Sequence, residues 1–364
     1  MADSIFLTGA TGGLGREILK GLLHSTDQRI YLLIRRKNRN SHWDRVRKIL
    51  SACGLETFLG TRVQVLEGDV ALPQLGLRPD EQNLLMREVS EIYHLAALTA
   101  LNGSREECWR INVGGTLQVL ELAKKVHEKG NLQRFFYFST AFVSGSLQTY
   151  CAKEDELPER PAHANHYESS KCEAEKNVRR TMGEGLPVTI FRPSIVVGNS
   201  KTGEVSEFNV IYPFMRLFAH GILTILPTQP RNSFNIVPID FVTQASLAIA
   251  RQADSWGKTF HLVTQEPPSI EMLLELKENE YPHMGPIEIV SPESFQKEKL
   301  GELEQDVFEM LHPYLGYLNG NLTFDTANTE RALVGTGISF PKTDYEFLKR
   351  LCQYAVDAGY LVLQ

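Results

Sequence analysis

Tyr167 and Lys171 stand four residues apart in the run Tyr167-Glu168-Ser169-Ser170-Lys171. On a helix that spacing puts a phenol and an ammonium on one face. A phenol titrates near pH 10, too high for acid–base work at neutral pH, and a neighbouring ammonium would bring it down into range. Twenty-seven residues before Tyr167, the apolar run Arg134–Ser139 leads into Thr140. A hydroxyl there would donate to a substrate carbonyl oxygen and hold it beside Tyr167, a small oxyanion site. Counting alone hardly separates Thr140 from Ser139, although Thr140 fits better. The chemistry these three side chains suit is proton donation to an alkoxide formed by hydride attack on a carbonyl.

A hydride donor needs a site, and the start of the chain supplies one. The strand-like Ser4-Ile5-Phe6-Leu7-Thr8 runs into Gly9-Ala10-Thr11-Gly12-Gly13-Leu14-Gly15, and a helical pattern follows. Glycines allow a tight turn and close approach of the backbone to a pyrophosphate. The helix N-terminus then presents free N–H groups and a positive dipole end to it. The Gly9, Gly12, Gly15 spacing is one residue longer than Gly-x-Gly-x-x-Gly. The second strand-like run ends at Ile34-Arg35-Arg36, twenty residues past Gly15, where an acid would hold a ribose 2′-hydroxyl. No acid stands between Ile30 and Ser41. Arg35, Arg36, Lys37 and Arg39 do, and Arg45 follows near the start of the next helix. A 2′-phosphate suits them better, so the expected cofactor is NADP(H).

Further residues complete the expected cofactor site. Asp69 and Val70 follow the third strand, where a carboxylate accepts from adenine or closes a strand-end turn. His94-Leu95-Ala96-Ala97 ends the fourth, and the small Ala96 and Ala97 would let backbone pass close to the nicotinamide ribose. His94 itself reads as a packed core histidine. Asn112 would brace this strand end or sit as a satisfied polar group on its helix. Pro193, Ser194, Ile195 and Val196, after the sixth strand, would line the nicotinamide face.

The elements that must position these residues alternate. Strands are expected at Ser4–Thr8, Arg29–Ile34, Arg62–Glu67, Glu91–Leu95, Arg134–Ser139 and Val188–Arg192, with helices at Leu14–Leu23, Trp43–Cys53, Cys108–Glu128 and Tyr167–Met182. That order predicts an α/β fold, a Rossmann-type doubly wound parallel sheet covered on both faces. Beyond about residue 200 the pattern changes. Phe208–Leu226 is unusually apolar, and 269–312 and 343–360 read as helices with acidic faces. The expected division is an NADP-binding domain over 1–200, with 235–264 returning to it, and a smaller, mainly helical substrate lobe from 201–234 and 265–364. The apolar stretch would shape a substrate pocket or simply be lobe core.

The chain has 364 residues, 42% of them hydrophobic, and a net charge of −6, which gives no steering toward nucleic acid or anionic membrane. No basic leader precedes an apolar core, and no run approaches the roughly 18 apolar residues of a membrane span. Five scattered cysteines, with no Cys-x-x-Cys, suggest reduced thiols and a cytoplasmic protein. No histidine spacing matches a metal-ligand motif, so no metal is expected.

Together these pieces resemble the extended short-chain dehydrogenase/reductase superfamily, and within it the thioester reductase branch. That branch contains the terminal reductase domains of nonribosomal peptide and polyketide synthases, those of carboxylic acid reductases, and the fatty acyl-CoA reductases. The resemblance covers about residues 4–245, and Arg192–Glu204 is its most branch-specific piece. It implies Thr140, Tyr167 and Lys171 as catalytic residues and Arg35 and Arg45 as 2′-phosphate contacts. It also implies NADPH-dependent reduction of an acyl thioester, held on a carrier protein or coenzyme A, to the aldehyde, with some members going on to the alcohol. The chain carries no adenylation or carrier domain, so the expectation is a discrete enzyme acting in trans. Alternatives on the same fold are a reductase of free aldehydes or ketones and a nucleotide-sugar epimerase or dehydratase. The second is opposed by Arg35 in place of an acid and by Ala141-Phe142 after Thr140. A non-catalytic NADP-binding protein need not keep Thr140, Tyr167 and Lys171 together.

Overall fold

The computed structural model describes residues 3–36, 41–146, 150–209, 211–222, 224–319 and 322–362, apart from the side chain of Leu303. Lys37 and Arg39 of the expected basic run lie outside the described residues. Seven strands form one sheet: β1 (Ser4–Thr8), β2 (Arg29–Ile34), β3 (Val63–Glu67), β4 (Val89–His94), β5 (Arg134–Phe138), β6 (Val188–Pro193) and β7 (Thr259–Leu262). Their order is β7-β6-β5-β4-β1-β2-β3, and every neighbouring pair is parallel. The order reverses beside β1. The carboxyl ends of β1 and β4 therefore part at a crevice, the usual place for a ligand in such sheets.

The strands are apolar on both faces because both faces are covered. Ile5 and Leu7 point one way and join Leu32, Phe191 and Phe260 against α1 (Gly13–Ser25), α2 (His42–Ser51) and the helix Ile239–Ala250. Phe6 points the other way and joins Tyr31, Leu33, Ile92 and Phe135 against α3 (Pro79–Glu88), α4 (Gly115–Glu128) and α5 (His166–Gly183). The observed strands and helices match the expected ones to within one or two residues at most ends.

The C-terminal part is mainly helical. Residues 269–312 do not form one continuous helical stretch: helices Ile270–Glu280 and Glu302–Asn319 flank a short strand, Glu288–Val290, and a single 3₁₀ turn. Pro282, Pro286 and Pro292 fall in the gap, where three missing N–H groups in eleven residues disfavour helix. The strand Ile236–Pro238 pairs in parallel with Ile195–Val197, and Thr323–Phe324 pairs with Cys151–Ala152, so later segments are stitched to the sheet domain at two further places.

Phe191 is fully buried, between Phe138 and Phe260. Phe191→Ala should lower unfolding stability by about 3–5 kcal/mol, read from urea melts. A loss under about 1 kcal/mol would mean that this core can collapse around the missing ring.

Candidate functional site

The glycine turn is built as its spacing requires. Gly9 has φ +79°, and a Cβ there would lie 2.6 Å from the backbone nitrogen of Ala96. A Cβ on Gly15 would lie 2.1 Å from the Gly9 carbonyl oxygen. These glycines let β1, the turn and the β4 end lie in contact. Helix α1 begins at Gly13 with no side-chain cap, so its first N–H groups face the cleft uncovered. The cleft holds about 490 Å³ and is bounded by Gly9, Thr11, Gly12, Gly13, Leu14 and Gly15 on one side. Arg35, Arg45, Asp69, Val70, Ala96, Ala97, Pro193, Ser194, Ile195 and Val196 line it as well.

Thr140, Tyr167 and Lys171 line that same cleft. Thr140 follows β5 and starts a 3₁₀ turn, Ala141–Ser144, where its hydroxyl accepts from Phe142 N at 3.3 Å. It also donates to the Pro193 carbonyl over a long 3.4 Å, a bond a better acceptor could replace. Ser139 is committed elsewhere: its hydroxyl donates to Glu175 at 2.6 Å. The two hydroxyls that counting left together are thus separated by their hydrogen bonds.

Lys171 does not act on Tyr167 as its spacing suggested. Its ammonium donates to the Phe138 carbonyl at 2.8 Å and lies 4.4 Å from the centre of the Tyr137 ring. Burial pushes its pKa down to about 7, with Glu175 working the other way. The Tyr167 phenol is not lowered. Burial pushes it up to about 12, against a hydrogen bond with Thr140 and reinforced by Glu168. Desolvation of the phenolate outweighs the cation one helical turn away. Tyr167 therefore keeps its proton at neutral pH, the state a proton donor needs.

Two expected residues stand apart, and a third has a second task. Arg36 is exposed, 4.0 Å from Glu67, and does not line the cleft. Asn112 lies behind the wall in a π-helical turn, Trp109–Gly114. Its side chain accepts from Leu98 N at 2.7 Å and donates to Leu98 O at 3.1 Å and to Ser170 at 2.9 Å, bracing the segment after β4 against α5. Arg45 is both wall and brace, donating to the Arg35 carbonyl at 2.7 Å and to Thr11 at 2.9 Å. His94 is a buried strut between Thr8 at 2.8 Å and Thr116 at 3.0 Å, and burial pushes its pKa down to about 3.

Sequence reading missed the residues that hold the site in place. Glu175, fully buried on α5, accepts from Arg192 at 2.6 Å, from Arg179 at 2.8 Å and from Ser139. The Glu175/Arg179 spacing of four on one helix was the available signal. Missed too were Val205, Ser206, Glu207 and Asn209, which line the cleft with the glycines; a Cβ on Gly13 would lie 2.7 Å from the Ser206 hydroxyl. The apolar residues Ile211, Phe214, Met215, Phe218 and Leu226 surround a separate cavity of about 80 Å³ that shares no lining residue with the cleft.

Two features fit a nicotinamide dinucleotide. The uncapped N-terminus of α1 offers donors to a pyrophosphate, and the Ser194 hydroxyl, buried in the cleft wall, has no hydrogen-bond partner among the described residues.

Comparison with known proteins agrees. The family model described as male sterility protein, an NAD-binding family, matches residues 7–246. A nonribosomal peptide synthetase, asaC of Aspergillus flavus, is 30% identical over 72% of this chain and 26% of its own length. The fatty acyl-CoA reductase wat of Drosophila melanogaster is 29% identical over 68% of this chain and 53% of its own. The chain thus spans about a quarter to a half of these two relatives. Among solved structures, the terminal R domain of the myxalamid PKS-NRPS pathway superposes with a TM-score of 0.85 and 28% identity, covering 99% of this chain and 92% of that one.

Desolvation alone would raise the Glu175 carboxyl, but the guanidiniums of Arg192 and then Arg179 outweigh it and hold its pKa at about 2. A lowered carboxyl contributes stability that is complete above its ordinary range and is lost as pH falls through its folded value. Unfolding stability should therefore drop between about pH 4.5 and 2. Glu175→Ala, which leaves Arg192 buried without its partner, should cost about 3–5 kcal/mol at neutral pH and remove part of that acid dependence. Wild-type stability in the variant would show that the ion pair holds nothing together.

Proposed function

The chain belongs to the NAD-binding male sterility protein family, the thioester reductase branch of the extended short-chain dehydrogenase/reductases and a family of nicotinamide-dependent oxidoreductases, and from that premise we propose that it reduces an acyl thioester to an aldehyde with NADPH. The observation that carries this reading is the convergence of Thr140, Tyr167 and Lys171 on one cleft with the glycine turn. When bound, the nicotinamide group supplies a hydride to the acyl carbonyl carbon. Everything else falls to the chain's own residues.

The uncapped turn of α1 would hold the pyrophosphate, and Lys171 would reach the nicotinamide ribose from the Phe138 carbonyl. Thr140 and Tyr167 would hold the thioester carbonyl oxygen between them and stabilise the charge that gathers on it. Tyr167 Oη then gives its proton to that oxygen, forming a thiohemiacetal. Cleavage of the carbon–sulfur bond, with return of the hydroxyl proton to Tyr167, releases the aldehyde and a thiolate that takes its proton from solvent. The thiol would be the pantetheine arm of a carrier protein or of coenzyme A.

Arg35 and Arg45 support NADP(H) over NAD(H). Burial, and then the Arg35 charge beside it, lower the Arg45 pKa, so an anion between the two would relieve their repulsion.

Absorbance of NADPH at 340 nm with a panel of acyl-CoA and acyl-carrier thioesters, and with the matching aldehydes, tests the reading. Oxidation by a thioester with aldehyde or alcohol product is expected; turnover of aldehydes alone would refute it. Tyr167→Phe should lower turnover by about two decades or more with NADPH binding largely intact; near-normal turnover would remove Tyr167 from the chemistry. The value of kcat/KM should fall as pH rises through about 7, where Lys171 loses its proton, and a flat profile from mildly acid to alkaline pH would take Lys171 out of the rate. Arg35→Ala should narrow the preference for NADPH over NADH by about tenfold or more, the worth of a charged hydrogen bond. An unchanged preference would place the selectivity elsewhere.

A further inference from the structure

One aromatic side chain from the C-terminal helices reaches the reacting end of the cleft. Tyr317, on the helix Glu302–Asn319, is buried and lines the cleft together with Thr140, Phe142 and Tyr167. Its ring meets Phe142 edge-on, with centroids 4.6 Å apart. Phe142 in turn gives its backbone N–H to the Thr140 hydroxyl. The ring thus stands one residue away from the groups that would hold the carbonyl oxygen.

It is held there by the start of the catalytic helix. Asn165 is the N-cap of α5, and its side-chain oxygen accepts from Glu168 N at 3.0 Å. The amide of the same side chain donates to the Tyr317 hydroxyl at 3.1 Å and to the Pro313 carbonyl at 3.2 Å. One residue therefore ends the helix that carries Tyr167 and pins the helix that carries Tyr317. The Tyr317 phenol also lies against Glu168, whose buried carboxylate accepts from Ser146 and from Ala164 N, each at 3.0 Å. A ring tied at its hydroxyl to Asn165, with Glu168 beside it, and packed edge-on against Phe142 resists swinging aside to admit a bulky group.

We propose that Tyr317 is a specificity-determining residue, its ring the wall that limits substitution on the carbon next to the reacting carbonyl, with Asn165 and Glu168 as the residues that position it. The site so defined takes straight-chain acyl groups and disfavours those branched at that carbon. This rests on the carbonyl-reduction reading of the cleft, but not on the carbonyl being a thioester.

The test compares straight-chain and α-branched substrates, as pantetheine thioesters and as the corresponding aldehydes. Wild type, Tyr317→Leu, Tyr317→Phe and Tyr317→Trp are compared. The readouts are kcat/KM and, in the same wells, binding to the NADPH-loaded protein by change in NADPH fluorescence. Tyr317→Leu should raise the branched-to-straight ratio about tenfold or more, at an NADPH affinity within about twofold of wild type. Tyr317→Phe keeps the ring and should move the ratio far less. Tyr317→Trp should lower it, which keeps the proposal testable if the leucine variant does not fold. An unchanged ratio in the leucine and tryptophan variants, or an equal shift in the phenylalanine one, would overturn the wall. Thioesters that are inert beside aldehydes that turn over would refute thioester reduction and leave the ratio readable on the aldehydes. With no turnover at all, the ratio of binding constants decides.

Discussion

Glu175 is the constraint on which the rest of the site depends. It is fully buried, and so is Arg192, its partner on the next strand. Two opposite charges taken out of water cost several kcal/mol each, and only near-ideal geometry offsets that cost. Here the geometry is close. The Arg192 guanidinium also donates to the carbonyls of Lys153, Glu154 and Glu156, so its donors are filled by the segment after Cys151–Ala152. Arg179 reaches from the same carboxylate to the carbonyls of Glu154 and Asp155 and to the Thr259 hydroxyl on β7. One buried carboxylate thus fixes β5 through Ser139, β6, α5 and a long connection in a single register. Thr140 and Lys171 are neighbours of that cluster in sequence and space, and their positions follow from it.

The same cluster shapes the electrostatics of the cleft. Lys171 stands four residues before Glu175 on α5, and that carboxylate opposes the burial that lowers its pKa. Ser139 and Thr140 both line the cleft, but the Ser139 hydroxyl is committed to Glu175. For Tyr167 burial and the Glu168 charge act in the same direction, and the phenol stays protonated. A helix that reads in sequence as a simple Tyr–Lys pair therefore works as two separate environments, one dominated by a buried anion and the other by desolvation.

The later half of the chain closes the cleft from outside. Segment 203–209 lies over the glycine turn and is tethered at its start, where Ser200 bonds Asp240 and its carbonyl accepts from Arg350. At its far end Phe208 stacks on Tyr360 at 4.2 Å. Glu154 binds the backbone of Asn328 and Thr329 from one side and that of His261 from the other. The C-terminal helices are thereby joined to the sheet domain by buried polar contacts, which are directional and hold orientation better than apolar packing does.

The sequence by itself determined the α/β class, the strand–turn–helix start and the motif residues, because these depend on local chemistry. Glycines at Gly9 and Gly15 report a turn that no side chain could make, alternation of apolar strands and amphipathic helices reports a covered parallel sheet, and a spacing of four reports a shared helix face. What the tertiary structure decided is everything that depends on partners distant in the chain. Glu175 meets Arg192 across 17 residues and Asn165 meets Tyr317 across 152, and no pattern in either segment announces the other. The different hydrogen-bond partners of Ser139 and Thr140 and the rise rather than fall of the Tyr167 pKa belong to the same class. Each turns on burial, and burial is set by what the rest of the chain brings to the spot rather than by the residues that stand beside it in sequence.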